Sequence, residues 1–156
     1  HHNSLDEGRG RWMLGEVLRR MGDLDGAERE LAAAREMVVA LDHPGAHGSL
    51  AALRLAQGRV EEAVAVAAGA IGHAEAMGGC GSFRGAFLRL VHAEALHAIG
   101  ARDAARGAIA GARARLLEVA GRIPEPAHRQ RFLEAVPENA RTFALARAWR
   151  GEPDTE

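Results

Sequence analysis

The segment Leu14-Gly15-Glu16-Val17-Leu18-Arg19-Arg20-Met21-Gly22-Asp23-Leu24-Asp25-Gly26-Ala27-Glu28-Arg29-Glu30-Leu31-Ala32-Ala33-Ala34 reads as two amphipathic helices joined at Gly22-Asp23. Its spacing of small residues returns twice. Gly22, Gly58 and Gly100 each end one apolar helical pattern and precede another. Five residues after each comes Ala27, Ala63 or Ala105, and seven later Ala34, Ala70 or Ala112. Seven residues before each glycine stands Gly15, Ala51 or Ala93. The glycines are 36 and then 42 residues apart. A self-similar period in that range marks stacked helical hairpins, an architecture that binds other molecules more often than it transforms them.

Composition narrows the field. The chain has 156 residues, room for one domain or one short solenoid with a core. Its net charge of −1 lacks the basic excess of a nucleic-acid binder or a polybasic membrane-surface protein. No apolar run approaches the ~20 residues of a membrane helix, and no signal peptide is evident. Cys80 is the only cysteine, which excludes an intrachain disulfide and fits a cytoplasmic compartment. Lysine and tyrosine are absent, and alanine, glycine and arginine are abundant, a bias of GC-rich bacterial coding. Strong helix formers outweigh β-branched residues, so an all-α fold is expected.

Residues 1–8 read as a tag remnant or disordered leader, with His1 and His2 set aside from any metal argument. Three hairpins are expected over about 9–43, 45–79 and 83–123, with capping helices over 124–150 and a polar tail over 151–156. The helices are placed at about Gly10–Met21, Leu24–Leu41, His47–Gln57, Glu61 onward to Ala74, Phe83–Ile99 and Arg102–Arg122. His43-Pro44-Gly45 reads as a loop, because proline disfavours helix in the residue before it. Gly78-Gly79-Cys80-Gly81 reads as a second flexible break. A short helix over Ala127–Ala135 and a last one from Pro137 to about Arg150 form the cap, with Pro137 suited to a first turn.

The register of small and large positions resembles the tetratricopeptide repeat. Leu14-Gly15, Leu18, Gly22-Asp23, Ala27, Leu31 and Ala34 match the first unit. Leu50-Ala51, Gly58, Ala63 and Ala70 match the second, which departs with Arg54 at a large apolar position. Ala93, Leu96, Gly100, Ala105, Ile109 and Ala112 match the third, which has His92 for the expected leucine. The resemblance implies an all-α, right-handed solenoid of three hairpins plus a capping pair. The stretch from Arg131 to Arg141 is similar to the end of multidomain signalling proteins of GC-rich bacteria, which carry a Ser/Thr kinase or ATPase upstream.

In that family the inner face of each first helix lines a groove. Carried over by position, the groove here takes Trp12, Glu16, Arg19 and Arg20 from the first unit and Ala52 and Leu55 from the second. Phe87, Leu90, Glu94 and His97 come from the third. Apolar platforms flanked by both signs of charge suit a protein or peptide segment. The bland alternative places Trp12, Phe87 and Leu90 in the core and leaves the arginines on a solvated face.

No chemistry competes strongly with binding. Glu94-x-x-His97 has the spacing of a helical metal pair and Glu125-x-x-His128 repeats it, but a di-metal site also needs further carboxylates from two more helices. Ser4, Ser49, Ser82, Thr142 and Thr155 are the only hydroxyl side chains, and none sits in a nucleophile elbow. Cys80 has no activating neighbour in sequence. The arginines from Arg129 to Arg150 are diluted by acids, and aromatics for base stacking are few. The expectation is therefore a non-enzymatic interaction or scaffolding module, a regulatory fragment of a larger bacterial signalling protein as the resemblance implies, with no metal, cofactor, nucleic acid or membrane. A sensor for a small peptide or metabolite and a self-association module are the alternatives.

Overall fold

The computed structural model describes residues 2–37, 44–78 and 85–151. These form eight α-helices: α1 (His2–Met21), α2 (Leu24–Met37), α3 (Pro44–Ala56), α4 (Val60–Ala76), α5 (Gly85–Ala98), α6 (Arg102–Gly121), α7 (Pro126–Glu134) and α8 (Pro137–Trp149). No strand occurs among the described residues. None of the helices is long and apolar enough to cross a membrane among those residues.

The three turn glycines share one conformation. Gly22, Gly58 and Gly100 have φ of 87°, 75° and 90°. L-residues with a Cβ are strained there, whereas glycine is not. At each turn the chain closes in the same way. The residue after the glycine donates its amide to a carbonyl five back: Asp23 to Leu18, Arg59 to Arg54 and Ala101 to Leu96. This is the Schellman closure of a helix C-terminus. The next helix then starts at once. At α2 the Asp23 carboxylate caps it, accepting from the Gly26 amide at 2.9 Å. No side chain caps α4 or α6 at their first residue.

The small residues of the repeat are where helices approach most closely. Ala27, Ala51, Ala63, Ala93 and Ala105 are fully buried, and Gly15, Ala34, Ala70 and Ala112 are buried. A Cβ on Gly15 would lie 2.7 Å from Leu31 Cγ, so only glycine lets α1 and α2 come this close.

Helices adjacent in sequence pack in pairs: α1 on α2, α3 on α4, α5 on α6, and α7 on α8. Pairing thus continues to the end of the chain, giving four pairs where three hairpins and a cap are expected. Between pairs, α3 contacts α2 and α5, α5 contacts α4, and α8 packs on α6 and α5. The core follows these contacts. Leu53 packs with Ala27 and Leu31; Leu88 and Val91 pack with Ala51, Ala52, Ala67, Ala70 and Ala74; Trp149 and Ala146 pack with Leu90, Ala105 and Ile109.

Two boundaries differ from the sequence expectation. Residues 2–8, expected as a leader, belong to α1. Pro44 and Gly45, expected in a loop, form the first turn of α3. Proline needs no amide partner at a first helical position, so it can begin a helix as well as break one. Val38, Leu41, Cys80, Gly81 and Phe83 lie outside the described residues.

Candidate functional site

A cleft of about 440 Å³ runs across the first helices of the first three pairs and the last helix, α8. Arg19 and Arg20 line it from α1; Ala52, Leu55 and Ala56 from α3; Phe87, Leu90, Val91 and Glu94 from α5; Pro137, Glu138 and Arg141 from α8. The volume lies within the ~300–1,000 Å³ range of ligand clefts. Two smaller depressions, of about 290 and 270 Å³, lie on α7 and between α6 and α8.

The floor is apolar because α3 and α5 bury one face on their own pairs and present alanine, leucine and phenylalanine at the edge. The walls are charged. On the α1 side, Glu16 is buried and gathers two guanidinium groups. Arg19 Nε and Nη2 donate to its two oxygens at 3.0 and 2.8 Å, and Arg20 Nε donates at 3.0 Å. Burial alone would push the Glu16 carboxyl up. The Arg19 pair, the Ser49 hydroxyl and Arg20 outweigh it and hold the carboxyl below the ordinary range. The Arg19 guanidinium also lies over the Phe87 ring, 6.0 Å from its centroid, linking α1 to α5. The opposite wall is a second ion pair: Arg141 Nε donates to Glu94 at 2.9 Å, fixing α8 to α5.

Of the residues expected in the groove, Arg19, Arg20, Leu55, Phe87, Leu90 and Glu94 meet in this cleft. Glu16 does not face it directly; it anchors the two arginines from beneath. Trp12 does not line it. Its indole Nε1 donates to Ser49 Oγ at 3.0 Å, and its ring packs beside Ala27, Leu31 and Leu53. His97 does not line it either, because its ring stacks on Trp149 at 4.4 Å between centroids. Pro137, Glu138 and Arg141 were not expected there. They arrive from α8, 47 residues beyond Glu94 in the case of Arg141, and no local pattern announces such a meeting.

The departures from the repeat pattern have local explanations. Arg54, standing where Leu18 and Leu96 stand in the other units, pairs with Glu28 of α2 and keeps only 12% side-chain exposure. Gln57 also donates to Glu28, at 2.9 Å, and Arg54 holds that carboxyl below its ordinary range. His92 is half-buried, and burial lowers its pKa. Among the described residues no three His, Cys, Asp or Glu side chains converge in a manner that could hold a metal ion.

The Glu16 cluster makes a pH prediction. A carboxyl held below its unfolded value, about 4.3 for glutamate, contributes stability above that pH. The contribution is lost as pH falls through the folded value. Glu16→Gln is expected to cost about 1–3 kcal/mol at pH 7. The gap to the parent chain should narrow in urea titrations below about pH 4. A gap that stays constant from pH 7 to pH 3 would show that Glu16 carries no such charge.

No family model, curated protein or solved structure matches the chain.

Proposed function

We propose that this chain is a non-catalytic protein-interaction module. Its helix pairs would stack as a right-handed solenoid of tetratricopeptide type. The cleft across α1, α3, α5 and α8 would receive a segment of a protein partner. The observation that carries this reading is the cleft itself: a floor of Ala52, Leu55, Phe87 and Leu90 between an Arg19–Arg20 wall and a Glu94–Arg141 wall. Apolar side chains of the segment would fill the floor and supply affinity. Arg20, 61% exposed, and the exposed Arg141 would select acidic flanks, and Glu138 basic ones. The three matching glycine closures support the repeat assignment.

Selection from a random peptide library tests the reading. Ala56 is exposed at the mouth of the cleft, so Ala56→Arg fills it without disturbing the core. Peptides enriched on the parent chain are expected to bind the Ala56→Arg chain at least about 10-fold more weakly. Equal binding to both chains, or no enrichment on the parent, would contradict the proposal.

A further inference from the structure

One helix carries an apolar face that no other described residue covers. Met13, Leu14, Val17 and Met21 recur at helical spacing along α1 and are 65, 47, 51 and 76% exposed. None of them lines the cleft. Monomeric proteins seldom leave such a contiguous stripe in water.

The internal repeat says what kind of surface this is. Superposing the units on Gly22, Gly58 and Gly100 aligns Met13 with Ser49 and Val91, and Val17 with Leu53 and Ala95. Those four counterparts are buried. Leu53 packs against Ala27 and Leu31 of α2, and Val91 against Ala67 and Ala70 of the α3–α4 pair's second helix. The Met13–Val17 part of this face therefore occupies the position at which α3 and α5 dock on another helix, while Met21 superposes on Gln57 and the exposed Ile99. At the opposite end of the described helices, Ala146 and Trp149 of α8 pack over Ala105 and Ile109 of α6.

We propose that this face pairs with the same face of a second copy, α1 against α1 and antiparallel, about a two-fold axis near Met13. A head-to-tail contact would need a second apolar stripe of another kind. Among the described residues outside α1, the exposed large apolar ones are Met77, Ile99, Leu117 and Val119, which are dispersed over three places rather than aligned on one helix face. The α1 face is complementary to itself. Antiparallel pairing centred on Met13 sets Leu5 beside Met21 of the second copy and exposed Asp6 beside Arg20 of the second copy, twice over. Exposed Gly10, with nothing within 4 Å of its Cβ position, falls opposite the Val17 turn and lets the helix axes approach. An isologous contact of this kind closes as a dimer and does not propagate.

Sedimentation velocity across a concentration series tests the pairing. The parent chain is expected to form a reversible dimer. Val17→Glu, at an exposed position outside the core, is expected to raise the dissociation constant at least about 10-fold while leaving the helical circular-dichroism signal unchanged. Asp6→Arg and Arg20→Asp should each weaken the dimer when alone. An equimolar mixture of those two chains should restore it, because both charge pairs become matched in the heterodimer. A parent chain that stays monomeric, a dimer indifferent to Val17→Glu, open-ended assemblies, or variants that fail to recover on mixing would each overturn the antiparallel α1 pairing.

Discussion

Leu88→Ala is expected to lower the unfolding free energy by about 2–5 kcal/mol, towards the upper end of that range. Leu88 is fully buried where α5 meets both helices of the preceding pair. Its neighbours there include Ala51, Ala52, Ala67, Ala70 and Ala74. Alanines have no side-chain length with which to reach into a void. The cavity left by truncation would stay open, and the cavity cost would add to the lost transfer energy. At roughly 2–4 °C per kcal/mol for a domain of this size, the melting temperature should fall visibly. Leu117→Ala, at a 40% exposed position on α6, serves as the control and should stay within about 0.5 kcal/mol of the parent. Urea denaturation measures both. A Leu88→Ala loss no larger than the control's would show that α5 is not seated on α3 and α4 as described.

The opposite change tests the small positions of the repeat. Ala63→Leu should destabilise by about 1–3 kcal/mol through overpacking. Ala63 is fully buried in the first turn of α4, and its amide is bonded to the Arg59 carbonyl at 3.0 Å. A leucine there must push α3 and α4 apart. Ala65→Leu, two residues on and exposed, gains helix-neutral bulk in water and should stay within about 0.5 kcal/mol. The same substitution at Ala27 or Ala105, which are also fully buried, should reproduce the penalty. Tolerance at all three positions in urea titrations would mean that the helix pairs are not closely packed at their starts.

The second of these predictions rests on features legible in the amino-acid sequence, and the reason is local sterics, whereas the burial of Leu88 emerges only from how α5 seats on α3 and α4. A glycine forced to positive φ and an alanine squeezed between helix axes leave marks that recur with the repeat. Gly22, Gly58 and Gly100 and the alanines that follow them are therefore legible in the sequence alone. Long-range partnerships leave no such mark. Trp12 sits at a groove position by register, yet its indole bonds to Ser49, 37 residues away. His97 likewise turns to Trp149 on α8. Arg54 breaks the apolar pattern, and only the fold reveals Glu28 waiting for it from the preceding pair. Arg141 lay in a stretch that reads as a diluted basic end, and its role as one wall of the cleft depends on where α8 comes to rest. Pro44 was ambiguous for a different reason, since proline marks a loop and the start of a helix equally well.

The cleft is the centre of the functional account, and its use is best read by residue. A selected peptide titrated into isotopically labelled protein, followed by amide NMR shifts, reports every helix at once. Shifts are expected to concentrate at Arg20, Ala52, Leu55, Ala56, Phe87 and Arg141, which are among the residues that line the cleft. The outward residues Gly107, Gly111 and Ala114 of α6 should stay still. Shifts gathered on α6, with the cleft residues unmoved by a bound peptide, would contradict this use of the cleft.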